Sequence, residues 1–356
     1  MKILYPFPKI RTLMFSKILL DWFDEHRRDL PWRNTDDPYK IWVSEVILQQ
    51  TRVVQGLSYY HNFIANFPTV TALAEADESQ VLKVWQGLGY YSRARNMHAA
   101  AQSVVRDHGG TFPSDYDSIR RLKGVGDYTA AAIASFAFNL PYPAVDGNVL
   151  RFTARYKGLF DNIATAATRK KVTEICQQWM PAEHAGTFNQ AMMEMGAIQC
   201  VPTNPNCEQC PFTPTCYAAL HHCTDTLPVK EKTTKVKDRY FHYLIYLKDN
   251  QSIIQKRTDN DIWKGLYEFP LVETESDRFD LDQFLQENRI RSLAAPQIAL
   301  QKNHLLSHQR LHLTFHLIRP EKLPKPTENQ QVAGVDELPE FAVSKVTAEM
   351  VALLVQ

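Results

Sequence analysis

The sequence of 356 residues contains no apolar run that approaches the roughly 20 residues needed to span a bilayer. Its first segment, Met1–Phe15, has neither a long apolar core nor a small-residue cleavage site. We therefore expect neither a transmembrane protein nor a secretory signal peptide. Met14 is an alternative start to Met1, and the expected location is the cytoplasm, with a monomer as the default state.

The chain also lacks a strong charge balance, because its formal net charge is only +1 at pH 7. Many nucleic-acid-binding proteins are basic overall, so any DNA-binding surface here must be a local patch or a set of backbone amides. The six cysteines are too few for a disulfide scaffold in a chain of this length. Hydrophobic residues make up 44% of the sequence, which is sufficient for ordinary buried cores. The length allows two domains of roughly 100–200 residues each.

The first predicted domain is helical and covers residues 15–225, after an N-terminal extension over residues 1–14. Apolar residues recur there at helical spacing, without the alternation of strands. The predicted helical segments include Ile18–Phe23, Ile41–Tyr60, Ala72–Trp85 and Arg93–Arg106.

The character of the sequence changes after Cys223. Residues 226–238 are rich in lysine and poor in apolar side chains, which predicts an exposed linker. Beyond the linker, aromatic, β-branched and alternating residues predict strands. These strands are Tyr240–Leu247, Ser252–Lys256 and Leu311–Ile318, and they indicate an α+β domain over residues 239–356.

Four of the six cysteines lie close together, in the spacing C-x6-C-x2-C-x5-C, at Cys200, Cys207, Cys210 and Cys216. Four thiolates on so short a segment can wrap one compact inorganic group, which predicts a metal site in a reducing compartment. Thiolate-only ligation suits either zinc or an iron–sulfur cluster, and the spacing alone leaves both open. Four unrelated buried cysteines are the less favoured alternative.

A glycine-containing turn, Leu122–Gly126, separates two predicted helices, Tyr116–Leu122 and Asp127–Phe138. Gly124 and Gly126 allow the backbone to approach a ligand closely. The following helix offers free N–H groups and the positive end of its dipole, which suit a DNA phosphate. Taken alone, an ordinary tight turn between helices explains this motif equally well.

One carboxylate, Asp146, follows a loop that contains Pro141 and Pro143. It can be the N-cap of a helix that runs from Val149 onward. Capping and chemistry do not exclude each other, so Asp146 remains a candidate for both roles.

Together, the glycine hairpin, the proline-rich loop, Asp146 and the downstream cysteines resemble the helix–hairpin–helix DNA glycosylase superfamily. Within it, four segments are similar to the MutY family of adenine glycosylases: Leu30–Arg33, Trp42–Thr51, Gly87–Tyr91 and Ala144–Asn148. The similarity is strong over residues 15–225 and weaker beyond. It implies an all-α helix–hairpin–helix domain, a [4Fe–4S] cluster on the four cysteines, and a duplex DNA substrate with adenine opposite 8-oxoguanine or guanine.

The resemblance also implies catalytic roles for two carboxylates. Glu45 would protonate the departing adenine from an apolar pocket that raises its pKa. Asp146 would stabilise or trap the positive sugar, as in glycoside hydrolases, and Asn148 would position the same site. Judged by its residue type alone, Glu45 is more ordinary as a surface glutamate on a helix.

Tyr128 occupies the position at which bifunctional, endonuclease III-like relatives carry a lysine. A phenol cannot form a Schiff base, so the resemblance implies base removal without an efficient strand-cleavage step. We expect Tyr128 to support Asp146 through a hydrogen bond, with packing between helices as the alternative role.

Further residues match family positions around an adenine that has left the base stack. Around the adenine pocket these are Trp32, Arg33, Leu48 and Gln190; in the gap left in the duplex, Gln50 and Tyr90; and on the side of the opposite base, Thr51 and Leu88.

The resemblance implies that the C-terminal domain is Nudix-like (MutT-like), because Trp263–Pro270 resembles the signature segment of that fold. The acidic metal-binding box is missing, so we do not expect Mg²⁺-dependent nucleotide hydrolysis. Leu306, Ser307 and His308 align with a Phe-Ser-His loop that reads the damaged guanine in the family, with Leu306 in place of the phenylalanine. A plain turn at the end of a strand is the alternative.

Two other functions fit parts of the sequence. A bifunctional glycosylase and lyase acting on oxidised pyrimidines is disfavoured by Tyr128 and by the added C-terminal domain. A DNA-binding or electron-transfer protein that uses the cluster is disfavoured because Glu45 and Asp146 both stand in family positions.

Overall fold

The computed structural model describes residues 9–231 and 236–355. The chain divides into two compact units, one of residues 1–71 and 100–232, the other of residues 72–99 and 233–356. Residues 72–99, which belong to the predicted helical domain, are thus grouped with the C-terminal part. Lys83 and Arg95 explain this grouping, since both donate hydrogen bonds to backbone carbonyls of residues 264–341.

Residues 9–231 fold, over their described length, into helices and turns without a strand. The helices are α1 (Lys9–His26), α2 (Pro38–Ile47), α3 (Val53–Asn66), α4 (Val70–Glu75), α5 (Glu78–Val84), α6 (Ser92–His108), α7 (Tyr116–Arg121), α8 (Asp127–Phe138), α9 (Gly147–Lys157), α10 (Ala166–Trp179), α11 (Ala185–Glu194) and α12 (Tyr217–Leu220). The predicted all-α character of this part is confirmed.

Two predicted helices are wrong because each is broken in the structure. The segment Ile41–Tyr60 divides into α2 and α3, because Gln50 between them has a φ of 60°, a left-handed conformation that a right-handed helix cannot contain. The segment Ala72–Trp85 divides into α4 and α5, because Asp77 caps the start of α5 in a capping box with Gln80.

The predicted turn between α7 and α8 is present. Gly124 has a φ of 81°, a conformation that glycine adopts without steric cost. Gly126 is the N-cap of α8, so the first turn of this helix begins directly after the hairpin. Helix α8 itself is rich in alanine, the best helix former, and buries most of its length.

An aromatic cluster forms the centre of the helical core. Phe15 stacks on Trp179 with ring centroids 4.0 Å apart and lies 4.8 Å from Phe212. Phe212, which is buried, belongs to the segment between Cys210 and Cys216. The cysteine loop is therefore anchored to the helical core through an aromatic side chain.

The segment predicted as an exposed linker contains a buried residue near its start, which corrects that expectation for this end of the segment. Leu227 is only 1% exposed, its carbonyl accepts a hydrogen bond from Arg155 Nε, and the carbonyl of Val229 accepts one from the Ile163 amide. Residues 227–229 are thus fastened to the helical unit. Residues 232–235 of the predicted linker lie outside the described residues.

The C-terminal part combines two sheets with two helices, as the predicted α+β class requires. Its elements are β1 (Lys237–Tyr246), β2 (Gln251–Lys256), β3 (Tyr267–Glu268), β4 (Leu271–Thr274), α13 (Leu281–Glu287), β5 (Gln297–Leu305), β6 (Gln309–Ile318), β7 (Gln330–Gly334) and α14 (Lys345–Val355). One sheet has the order β4-β1-β6-β5 and the other the order β3-β2-β7. Strands β1 and β6 are parallel, whereas the other neighbours are antiparallel.

Within residues 9–231 and 236–355, no helix has the length and apolar character that crossing a membrane requires.

Candidate active site

The helical unit contains a cavity of about 790 Å³. Residues from both ends of the unit meet there, although they are far apart in sequence. Of the predicted site residues, the cavity is lined by Trp32, Arg33, Glu45, Leu48, Gln50, Thr51, Gly126, Tyr128, Asp146, Asn148 and Gln190.

Glu45 lies in α2 and is only 5% exposed, so the interpretation as a surface glutamate is wrong. Its Oε2 accepts a hydrogen bond from the Tyr128 hydroxyl at 2.5 Å. Burial and the charge of Asp146 raise the pKa of Glu45 to about 7, against the opposing effects of the Tyr128 hydrogen bond and of Arg33. A carboxyl group with this pKa can donate a proton at neutral pH.

Tyr128 is bonded to Glu45, which corrects the expected bond to Asp146. The oxygens of Asp146 already have other donors, the Val149 amide at 2.8 Å and Asn148 Nδ2 at 2.7 Å. Burial raises the pKa of Tyr128 well above its ordinary value, and the charges of Glu45 and Asp146 add to this. The phenol therefore remains a hydrogen-bond donor throughout the physiological pH range.

Asp146 is the N-cap of α9, as predicted, although the helix begins at Gly147 and not at Val149. Burial raises the pKa of Asp146, while the hydrogen bonds from the Val149 amide and Asn148 favour its ionised form. The positive end of the helix dipole also favours the carboxylate at this position.

Asn148 connects Asp146 to the cysteine loop. Its Oδ1 accepts a hydrogen bond from Arg151 Nη2 at 2.8 Å, and Arg151 also donates to the carbonyls of Gly196 and Cys200. A side chain on Gly196 would collide with Asn148, since a Cβ there would lie 2.6 Å from that residue. Neither Arg151 nor Gly196 was singled out from the sequence, because only the fold brings them to Asn148.

Two further charged residues of the cavity, Arg28 and Glu194, were also missed. Arg33 donates hydrogen bonds to the Arg28 carbonyl and to the Glu194 carboxylate. Glu194 is fully buried at the end of α11. The two lie 166 positions apart in sequence, so no local spacing could have signalled their contact.

Gly124 and Gly126 lie exposed in the hairpin, where Gly126 borders the cavity. A Cβ built on Gly126 would meet nothing within 4 Å. The space beside this N-cap is thus open to a ligand of the helix N-terminus.

The remaining predicted base-contact residues line a second cavity of about 460 Å³ in the other unit: Leu88, Tyr90, Ser307 and His308. The Tyr90 hydroxyl and Ser307 Oγ are hydrogen-bonded to each other. Gln50 and Tyr90, which were expected to fill one gap in the duplex, therefore line different cavities.

Ser307 and His308 form the turn between β5 and β6, where the Leu306 amide bonds to the Gln309 carbonyl at 2.8 Å. Both turn residues are exposed. Leu306 is partly buried and packs against the core of the C-terminal sheets.

The four clustered cysteines form no disulfide with one another and are partly buried. Arg155 Nη1 donates to Cys200 Sγ at 3.5 Å, and backbone amides of Phe212 and of Ala218 and Ala219 point to Cys210 and Cys216. Burial and the neighbouring thiols raise the pKa of Cys210 to about 11. In the described part of the chain, no group of three or more His, Cys, Asp or Glu is arranged to hold a single metal ion.

Comparison with known proteins identifies the family. The model of the HhH-GPD superfamily of base excision DNA repair proteins matches residues 43–181, and a NUDIX domain model matches residues 242–353. The adenine DNA glycosylase of Buchnera aphidicola from Acyrthosiphon pisum is 34% identical, over 86% of this chain and 87% of its own. This chain belongs to the adenine DNA glycosylase family.

Other comparisons agree with this membership. The human adenine DNA glycosylase is 40% identical to this family member over 57% of the present chain and 39% of its own. A solved thermostable thymine-DNA glycosylase is 29% identical and superimposes with a TM-score of 0.55, over 60% of this chain and 98% of that one. The predicted fold, a helix–hairpin–helix glycosylase domain followed by a Nudix-like domain, is confirmed.

Proposed function

We propose that this chain hydrolyses the N-glycosidic bond of adenine opposite 8-oxoguanine or guanine in duplex DNA, without an efficient strand-cleavage step. The decisive observation is that Glu45 and Asp146 line one cavity in different surroundings. Burial and a charged neighbour hold one of them near half protonation, and a helix N-terminus supports the other as an anion.

The cavity suits a base that has left the helical stack. Trp32 and Leu48 supply apolar walls, and the Gln190 amide can both donate to and accept from the edge of a base. The Glu45 side chain lines the same cavity and is only 5% exposed. An extruded adenine would therefore meet the acid in an environment that strengthens hydrogen bonds.

In the first step, Glu45 would transfer its proton to the ring of the departing adenine, which is a poor leaving group as an anion. The Tyr128 hydroxyl donates to Oε2 of Glu45, so the acidic proton resides on Oε1. Tyr128 thus positions the proton as well as the carboxyl group.

Bond cleavage leaves positive charge on the sugar, which the Asp146 carboxylate would stabilise or trap covalently. Hydrogen bonds from the Val149 amide and Asn148 fix both oxygens of Asp146. Water would then complete hydrolysis, with the ionised Glu45 acting as the base.

The absence of a lysine among the described residues that line this cavity favours a monofunctional enzyme. A lyase step needs an amine that forms a Schiff base with the sugar, and Tyr128 cannot supply one.

The four-cysteine loop fits a [4Fe–4S] cluster, which would be held by Cys200, Cys207, Cys210 and Cys216. The support is the donor set, four partly buried thiols with Arg155 and backbone amides directed at the sulfur atoms. Such a cluster would supply structural order to the loop. Through Arg151 and Asn148, that order would extend to the Asp146 carboxylate.

A single assay tests the proposed activity. A duplex with adenine opposite 8-oxoguanine should release free adenine and leave an abasic site, and the strand should break only after alkali is added. A duplex with adenine opposite guanine should also react, and an adenine–thymine duplex should not. Lack of adenine release from every mispair would refute the proposal, and prompt strand cleavage would favour the bifunctional alternative.

A further inference from the structure

Glu194, the last residue of α11, carries an unusually complete set of hydrogen bonds. Its Oε1 accepts from the Arg28 amide at 3.0 Å, from Arg28 Nε at 2.8 Å and from Arg33 Nη1 at 3.1 Å. Its Oε2 accepts from Arg28 Nη2 at 2.5 Å and from Arg33 Nη2 at 2.8 Å. One carboxylate therefore holds two guanidinium groups, each through two nitrogens.

This group of charges belongs to the wall of the proposed adenine cavity, because Arg28, Arg33 and Glu194 line the same cavity as Glu45. The side chain of Glu194 is only 1% exposed and that of Arg33 only 12%. Arg33 Nη1 also donates to the Arg28 carbonyl at 3.0 Å, which leaves little freedom for its guanidinium plane. Without Glu194, two positive charges would share this wall with no anion bonded to them.

We propose that Glu194 is a positioning residue that fixes Arg33 at the cavity wall and offsets its positive charge, so that Glu45 can serve as proton donor at neutral pH. This inference rests on the proposed function, in which Glu45 protonates adenine.

Three groups face Glu45 from three different elements. Tyr128 of α8 donates a hydrogen bond, Asp146 at the start of α9 contributes a negative charge, and Arg33 of the 3-10 turn Pro31–Arg33 contributes a positive one. The positive charge of Arg33 lowers the pKa of Glu45, and that of Asp146 raises it. An anion bonded to Arg33 weakens its effect on Glu45, because opposite charges at short distance largely cancel farther away.

Glu194 can offset the charge of Arg33 over the whole pH range in which Glu45 titrates. Burial alone would raise its pKa, but the hydrogen bonds from Arg28 and Arg33 and the charge of Arg33 outweigh burial and lower the pKa to about 2. Glu194 is therefore ionised whenever Glu45 titrates.

An alternative is that this ion group only ties the segment after α1 to α11. Removing one partner of a buried ion pair is destabilising whatever its function. A purely structural role would change the thermal stability and the amount of folded protein, but it would leave the pH dependence of the folded enzyme unchanged.

The test is the pH profile of adenine release under single-turnover conditions, measured on the full chain. Because Glu45 must be protonated to act, the rate falls as the pH rises through its pKa. In Glu194→Gln the uncompensated Arg33 should lower that pKa and move the alkaline limb to lower pH by about one unit. Glu194→Asp keeps the charge and should keep the limb at the wild-type position. Glu183→Gln, at an exposed glutamate just before α11, is the matched control.

A second set of variants keeps the test decisive if Glu194→Gln folds poorly. Arg33→Gln removes the cation and should move the alkaline limb to higher pH, at a lower maximal rate. The double variant Arg33→Gln/Glu194→Gln removes one charge of each sign and should bring the limb back toward the wild-type position.

Two different failures can be told apart. If the wild-type enzyme releases adenine but the limb does not move in Glu194→Gln or in Arg33→Gln, the charge-offsetting role of Glu194 is refuted and the glycosylase activity stands. If the wild-type enzyme releases no adenine from any mispair, the proposed function itself is wrong.

Discussion

The hydrogen bond from Tyr128 to Glu45 affects both the position of the acidic proton on Glu45 and the pH at which Glu45 loses that proton. The hydrogen bond from Tyr128 lowers the pKa of Glu45, and burial raises it, with a result of about 7. An acid with this pKa is about half protonated at neutral pH, which suits general acid catalysis. The rate of adenine release should therefore decline as the pH rises through about 7.

Replacing Tyr128 by phenylalanine removes the hydroxyl without removing the ring. We expect the pKa of Glu45 to rise, because the lost hydrogen bond favoured the ionised form. The alkaline limb of the single-turnover profile should then move to higher pH, while the maximal rate falls about tenfold for lack of a positioned proton. Tyr142→Phe, at a more exposed tyrosine, is the control. An unchanged limb would show that the hydroxyl does not act on Glu45.

Asp146→Asn separates the two roles of this residue. Asparagine is as good an N-cap as aspartate, so α9 should be retained and the thermal stability nearly unchanged. The negative charge is lost, so adenine release should fall by about a hundredfold to ten-thousandfold while duplex binding is kept. Asp146→Ala should in addition lower the free energy of unfolding by about 1 kcal/mol. Full activity in Asp146→Asn would remove Asp146 from the chemistry.

At this scale, the sequence predicts which residues line the candidate active-site cavity but not how they are bonded. Glu45, Tyr128 and Asp146 were all identified as site residues, yet Tyr128 was assigned to the wrong carboxylate. The sequence does not show whether Glu45 or Asp146 accepts the hydrogen bond from Tyr128. That depends on which carboxylate already has other donors, which only the fold determines. Glu194 was missed because its partner Arg28 is 166 positions away and a single glutamate in a helix carries no pattern.

The hairpin between α7 and α8 permits a prediction for an element. Gly124 has a φ of 81°, so Gly124→Ala should lower the free energy of unfolding by about 1–2 kcal/mol. Gly126 has a φ of −91° and open space around a built Cβ, so Gly126→Ala should leave the stability nearly unchanged. If a phosphate binds at the N-terminus of α8, Gly126→Ala should nevertheless weaken duplex binding severalfold, because the methyl group occupies that space.

Chemical denaturation and duplex titration of both variants provide the measurement. Stable protein with wild-type affinity in Gly126→Ala would mean that no phosphate approaches this N-cap.

Helix boundaries were predicted well at α8 but were missed where the hydrophobic period continues past a cap, as at Asp77, or through a break, as at Gln50. Helix α8 has the predicted ends, since Gly126 precedes it and Asn139 closes it in a left-handed conformation. The period of Ile41–Tyr60 continues through Gln50, whose positive φ ends it. Gln50 lines the same cavity as Glu45 and Asp146, so this conformation occurs at the candidate active site, where local preference is often overridden.

For the whole molecule, the proposed function predicts a division of work between the two cavities. The helical unit contains the carboxylates, and the other unit contains Tyr90 with Ser307 and His308. With a net charge of only +1, the chain has little general attraction for DNA. Under the proposed function, discrimination between mispairs would then come from local contacts, and the exposed turn at Ser307 and His308 offers hydrogen-bonding groups for an oxidised guanine.

The double variant Ser307→Ala/His308→Ala tests this division. In the wild-type chain, Ser307 and His308 are exposed at this turn. The backbone hydrogen bond of the turn, from the Leu306 amide to the Gln309 carbonyl, does not depend on either side chain, so the variant should keep the fold. We expect adenine release opposite 8-oxoguanine to slow by about tenfold or more, which corresponds to the loss of one or two hydrogen bonds between uncharged groups. Release opposite guanine should stay near the wild-type rate, since Glu45 and Asp146 are untouched. Equal slowing on both duplexes would place these residues in general DNA binding, and no slowing on either would leave the turn without a role in reading the opposite base.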